Sequence, residues 1–110
     1  MIRPGDGRAC VALLLACGAA AANAQTISGA GTRPCSAFNT AATQASSVAL
    51  DGFVSWSQGF ISAFNWANVR QQDMRIDPAA LTAWLAEFCA ADPSQPVYRG
   101  VQELIARNAR

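Results

Sequence analysis

Apolar positions fall into a few distinct patterns along this chain, and each predicts a different kind of element. From Ala9 to Ala22 small and apolar residues run unbroken, with Leu13, Leu14 and Leu15 at their centre. That run falls short of the roughly 20 residues that cross a bilayer. From about Val48 to Val69 the pattern changes. Phe53, Trp56, Phe60 and Phe64 recur at spacings of three and four, one stripe of an α-helix. Val54, Ile61 and Trp66 lie outside the stripe, so this helix is apolar over much of its circumference and belongs at the centre of a helical domain. A second series, Ser55, Gly59, Ala63 and Ala67, is small at every fourth position. Small side chains let backbones approach closely, so this series is expected to seat a neighbouring helix of the same domain.

Residues 70–77 are polar and read as a loop. Asp77-Pro78 then marks a helix start, with Asp as the cap and Pro at the first helical position, where its missing N–H costs nothing. Leu81, Trp84, Leu85 and Phe88 follow at i, i+3, i+4 and i+7, and Cys89 stands at the end of that face. Asp92-Pro93 ends the helix. A last helix is expected from near Ser94–Pro96 to about Arg107, with Val97, Val101, Leu104 and Ile105 inward. Its Gly100 weakens it by about 1 kcal/mol relative to Ala. The stretch Thr40–Ser47 is small and polar, a weak helix or a loop. No alternating pattern longer than four residues occurs, and no internal repeat. The expected fold class is all-α, a small three- to four-helix domain.

The N-terminal run takes its meaning from its flanks. Arg3 and Arg8 precede it, and Ala22-Asn23-Ala24 follows, a small-x-small peptidase site before the polar Gln25. Positive region, apolar region and A-x-A in that order predict a signal peptide over residues 1–24 and export. Leu14-Leu15-Ala16-Cys17 is also a lipobox pattern, in which Cys17 would be lipidated and would anchor the protein. Cleavage after Ala24 is the preferred reading and Cys17 lipidation the alternative. Residues 25–34, rich in Gly, Ser and Thr, read as a flexible leader. Residues 35–110 form the single helical domain.

Composition matters mainly after that segment is set aside. Of eight basic and seven acidic residues, Arg3, Arg8 and Asp6 lie within it, so six of each remain and the rest of the chain is neutral. Neutrality without a basic cluster removes the electrostatic footprint of a nucleic-acid binder. Cys10 and Cys17 also lie in the signal, leaving Cys35 and Cys89. In an oxidising compartment that pair is expected to form one disulfide. It would close a loop of about 54 residues, worth roughly 4 kcal/mol in the chain-entropy model. Domains this small have about 5–10 kcal/mol of total stability, so the share is large.

Candidate chemistry is sparse. The chain has no His, and past the signal no Lys, which removes the commonest general base, metal ligand and Schiff-base nucleophile. Ser55 and Ser57 flank Trp56 without a nucleophile-elbow pattern. Asp73 and Asp77 read as a loop residue and a helix cap rather than a carboxylate pair. Neither catalysis, a cofactor nor a metal is expected. Aromatic residues are plentiful, with three Trp and five Phe. Phe53, Trp56, Phe60, Trp84 and Phe88 are expected in the core, while Trp66 and Phe38 lie off the main stripes and are expected at the surface. A binding groove on the long helix would draw on Trp56, Gly59, Phe60, Asn65 and Trp66. Asn65 is either solvated or a buried amide with specific hydrogen bonds.

Together, an early Cys35, the helix Phe53-Val-Ser-Trp56-Ser-Gln-Gly59-Phe60-Ile-Ser-Ala-Phe-Asn65, the segment Leu81-Thr-Ala-Trp84-Leu-Ala-Glu-Phe88-Cys89 and a Pro-started last helix resemble the HdeA-like group. These are small periplasmic all-α proteins with one disulfide. The resemblance covers about residues 35–106. It implies a periplasmic location and a chaperone-like role in acid stress, with a homodimer at neutral pH and protein clients as partners. This chain departs from that picture. Without His, its acid response rests on carboxyl groups that titrate mostly near pH 4, and it lacks charge-rich tails. The chain also resembles the Rap/Tai immunity proteins in size, disulfide and Trp56-x-x-Gly59 helix, which implies neutralisation of a secreted effector in the periplasm. A lipid-anchored structural module is the remaining alternative.

Overall fold

The structure is a computed structural model that describes residues 26–44, 47–68 and 73–108; the signal segment expected over residues 1–24, with Cys17, lies outside them. Among the described residues there are four α-helices: α1 (Cys35–Ala42), α2 (Val48–Ala67), α3 (Pro78–Ala91) and α4 (Val97–Asn108). A short 3-10 turn, Ala30–Thr32, precedes them. Among the described residues there is no strand, only an isolated bridge between Pro34 and Pro96. The fold is all-α.

Local chemistry sets the helix starts. The Ser47 hydroxyl accepts from the Leu50 N–H at 3.0 Å, and Asp51 sits in the first turn, where the helix dipole favours an anion. The Asp77 carboxylate accepts from the Ala80 N–H at 2.9 Å with Pro78 inside the first turn, as its sequence predicts. α1 has no side-chain cap. Its first N–H groups are satisfied across the fold instead: Cys35 donates to the Gln95 carbonyl at 2.7 Å and Ser36 to the Pro93 carbonyl at 2.9 Å. Val97 N–H returns the stitch to Arg33 O at 2.9 Å. The starts of α1 and α4 therefore depend on each other.

The Cys35–Cys89 disulfide joins the start of α1 to the end of α3, with a Cα separation of 4.8 Å. Asn39 donates from its amide to the Cys89 carbonyl at 3.1 Å, covering an otherwise open helix end. Both cysteines, Phe38, Leu81, Leu85, Val97 and Val101 are fully buried, and Phe53 nearly so. Each large aliphatic side chain removed from water contributes roughly 1.5–3 kcal/mol.

Phe38 corrects an expectation, because it is buried rather than exposed. Once α1 is helical, Phe38 lies one turn from the anchored Cys35 and faces inward. Its ring meets the Phe53 ring edge-on at 5.7 Å. Trp56, Phe60, Trp84 and Phe88 pack against the core but stay half-buried. The leader is also more ordered than its composition suggests: from Ser28 onward it lies against α2 and α4.

Gly100 has a packing role. A Cβ there would stand 2.8 Å from the Phe88 ring and 3.0 Å from a Leu85 methyl. The missing side chain lets α3 and α4 close together, and the Trp84 indole N–H donates to the bared Gly100 carbonyl at 2.8 Å.

Candidate functional site

The candidate surface is built on α2, whose two sides differ sharply. Phe53, Ser57 and Ile61 line its inner side and are buried. The Ser57 hydroxyl donates to the Phe53 carbonyl at 2.8 Å, so it is satisfied inside the helix. On the opposite side Val48, Gly52, Ser55, Gly59, Ser62 and Trp66 follow at spacings of four and three, all exposed. Val48 and Trp66 are 85% and 86% exposed and stand at the two ends of this outer face.

The small-residue series does not seat a helix. Ser55, Gly59, Ala63 and Ala67 are all exposed, and a Cβ at Gly52 or Gly59 would meet nothing within 4 Å. Packing gain scales with the apolar area removed from water. The Phe53 and Ile61 side offers far more area than a row of Ser, Gly and Ala, so the other helices cover that side.

The five candidate binding residues separate accordingly. Gly59 and Trp66 lie on the outer face. Trp56 and Phe60 lie on its flank, ring centres 5.3 Å apart, and the chain before α1 packs over Trp56. The Trp56 indole N–H donates to the Ser28 carbonyl at 2.8 Å. Gly29, at φ 97°, has a conformation that L side chains rarely adopt, and a Cβ on Gly31 would overlap the Trp56 ring. Two glycines thus let the backbone lie directly on the indole.

Asn65 is on the other flank and resolves the choice left open by the sequence. Its amide N–H donates to the Met74 carbonyl and its amide oxygen accepts from the Met74 N–H, both at 2.9 Å. One half-buried side chain thereby fastens residues 73–77 along α2. Between them runs a groove of about 460 Å³, lined by Gln58, Ile61, Ser62 and Asn65 on α2 and by residues 74–77 opposite.

Electrostatics adds little chemistry to this surface. Asp51, at the border of the outer face, is the one charged residue of α2. Among the described residues no group of His, Cys, Asp and Glu is arranged to hold a metal ion, and no helix is long and apolar enough to cross a membrane. Asp92 is held below the usual carboxylate range, mainly by the Ser94 hydroxyl and then by the Ser94 N–H. It lies in the turn before α4, where it orders the helix start.

Val48 and Gly52 are not among the candidates that the sequence singles out. Their signal is an uncharged four-three spacing on the side of the helix away from Phe53. No family model matches this chain, and no curated protein or solved structure shows significant similarity to it. The surface must be interpreted from its own chemistry.

Proposed function

We propose that this chain is an exported helical binding protein that holds a protein partner or client on the outer face of α2, without catalysis of its own. One observation carries the reading: Trp66, 86% exposed, on an uncharged face of small residues. An exposed Trp on a rigid helix is a strong anchor for a protein partner, because it supplies a large contact area at little entropic cost. The small residues beside it leave room for a partner's backbone or side chains. The groove beside Asn65, with Gln58 and Ser62 on α2, adds polar side chains at the edge of that face. The disulfide supports an oxidising location such as the periplasm.

The chaperone-like role implied by the HdeA resemblance fits a surface that recognises apolar area rather than a specific charge pattern. Suppression of aggregation of unrelated proteins at about pH 3 and at pH 7 tests it, with Trp66→Ser as the comparison. Protection that needs Trp66 supports the reading; no protection at either pH rejects the chaperone role. Immunity-protein function is favoured by a different aspect of the same observation, since Trp66 is presented by the folded domain without any acid trigger. A single saturable partner bound at neutral pH, encoded beside this gene, would select that reading over a general client holder.

A further inference from the structure

The geometry points to a second site, the groove between α2 and residues 74–77, which takes the main chain of an extended peptide by pairing it with Ile76. This site uses groups other than those of the outer face and stands apart from the reading given above.

Asn65 shows which chemical group fits. Its carboxamide holds both the N–H and the C=O of Met74, each at 2.9 Å. One amide can hold both groups of a single residue where that residue is extended, because there the two point to the same side. Exposure along the segment agrees. Asp73, Arg75 and Asp77 are exposed, whereas Met74 and Ile76 are half-buried and packed against the core, the period of two of a strand. Asp77 continues the extended course up to the start of α3. Strand residues two apart turn their main-chain groups to the same edge. The N–H and C=O of Ile76 therefore face α2 as those of Met74 do, one step beyond Asn65. Neither has a backbone or side-chain partner among the described residues.

The space beside Ile76 has the size of a short peptide. Its volume of about 460 Å³ lies within the roughly 300–1,000 Å³ of ligand sites. From Asn65 to Gln58 the helix advances about 10 Å, and from Met74 to Asp77 an extended chain advances about 10 Å. The two walls thus match in length, and about three residues of extended peptide fit along them. Buried Ile61 supplies apolar surface, and Gln58 a side-chain amide on the α2 wall. A peptide residue opposite Ile76 exchanges two main-chain hydrogen bonds with it, as in strand addition. Its side chain then falls on the same face as that of Ile76, toward Ile61. A helical ligand cannot replace it, because its main-chain groups are already paired within the helix. Alternating polar and apolar residues suit the site, and main-chain pairing leaves the rest of the sequence free.

Nuclear magnetic resonance titration of the isotope-labelled full chain, disulfide intact, tests the site. The probe is a blocked five-residue peptide of alternating threonine and valine, added to about 5 mM. Saturable shifts are expected at Arg75, Ile76 and the Gln58 side-chain amide, with a dissociation constant on the order of 1 mM or below. The same peptide N-methylated at both valines loses its donors to Ile76 and should bind about 10-fold more weakly. Gln58→Phe fills the groove from the α2 wall and should abolish the shifts. The methylated peptide needs no variant, so it decides even where Gln58→Phe disturbs the fold. No shifts at about 5 mM, equal binding of the methylated peptide, or unaltered binding to a folded Gln58→Phe chain would each overturn the inference. Shifts confined to Val48 and Trp66 would also overturn it, and would leave the outer face standing as the binding surface.

Discussion

Gly100 in α4 and Gly59 in α2 are the same residue in the same kind of element, yet they do opposite things. At Gly100 an added Cβ would press on Phe88 and Leu85; at Gly59 it would touch nothing within 4 Å. Gly100 is buried because its neighbours, Val97, Val101 and Leu104, are drawn into the core and carry it inward. Gly59 is turned away from Phe53, Ser57 and Ile61, which take the core side of α2. A helical glycine by itself therefore identifies neither a contact nor a vacancy. The large residues around it decide which side is covered.

The packed side should fail first and most severely at its cross-link. Cys35→Ser should cost about 4 kcal/mol, the loop-closure value for its 54-residue separation, and lower Tm by on the order of 20 °C. A melt unchanged from the native protein would mean that the hydrogen bonds between α1 and the 93–95 turn hold α1 unaided. Gly100→Val comes next. Forcing a branched side chain against Phe88 and Leu85 should destabilise the domain by about 2–3 kcal/mol in denaturant titration. Tolerance at that site would show that α4 can shift outward, and the contrast between the two glycines would weaken.

Asn65→Leu tests the edge between the two sides. It leaves both Met74 backbone groups without their partner, so a loss of about 1–3 kcal/mol is expected, together with faster amide exchange at Met74. Gly59→Ala should have the opposite sign. On an open helix surface it should stabilise by about 1 kcal/mol through helix propensity alone. Destabilisation of the monomer there would mean that the outer face is not open.

The smallest expected effect is at Asp92. Its folded-state pKa is depressed, so its contribution is complete above the unfolded value of about 3.9 and is lost as pH falls through the lower folded value. Asp92→Asn should flatten that part of the stability–pH curve by slightly lowering stability at neutral pH, where the contribution is present, and leave stability below the folded pKa nearly unchanged. This group sits in the turn before α4, far in sequence from the outer face, so acid loosening there would not by itself alter Trp66.

Much of the fold is legible in the sequence. Asp77-Pro78 locates the start of α3, the spacing of Leu81, Leu85 and Cys89 its inner side, and the two cysteines outside the expected signal segment their own pairing. Each depends on interactions within a few residues or on elimination among a few candidates. The candidate surface is only half legible. Trp66 is exposed, in agreement with its place off the main stripe, but the small series through Gly59, which reads as a seat for a helix, is open. Phe38 reads as a surface residue because α1 shows no clear stripe, and that helix is stabilised largely by groups from residues 93–95. Trp56 reads as core, yet part of its cover comes from two glycines in a segment with no periodicity at all.

The sequence by itself determined the all-α class, the main helices and their caps, the cross-link and the exposure of Trp66, because periodicity and capping act over one or two turns. Only the tertiary structure decided which side of α2 stays open, why Gly100 must lack a side chain, where Phe38 and Asn65 point, and that the leader closes over Trp56. Those outcomes depend on which distant surfaces gain most by leaving water together, and that competition is settled only when all four helices are in place.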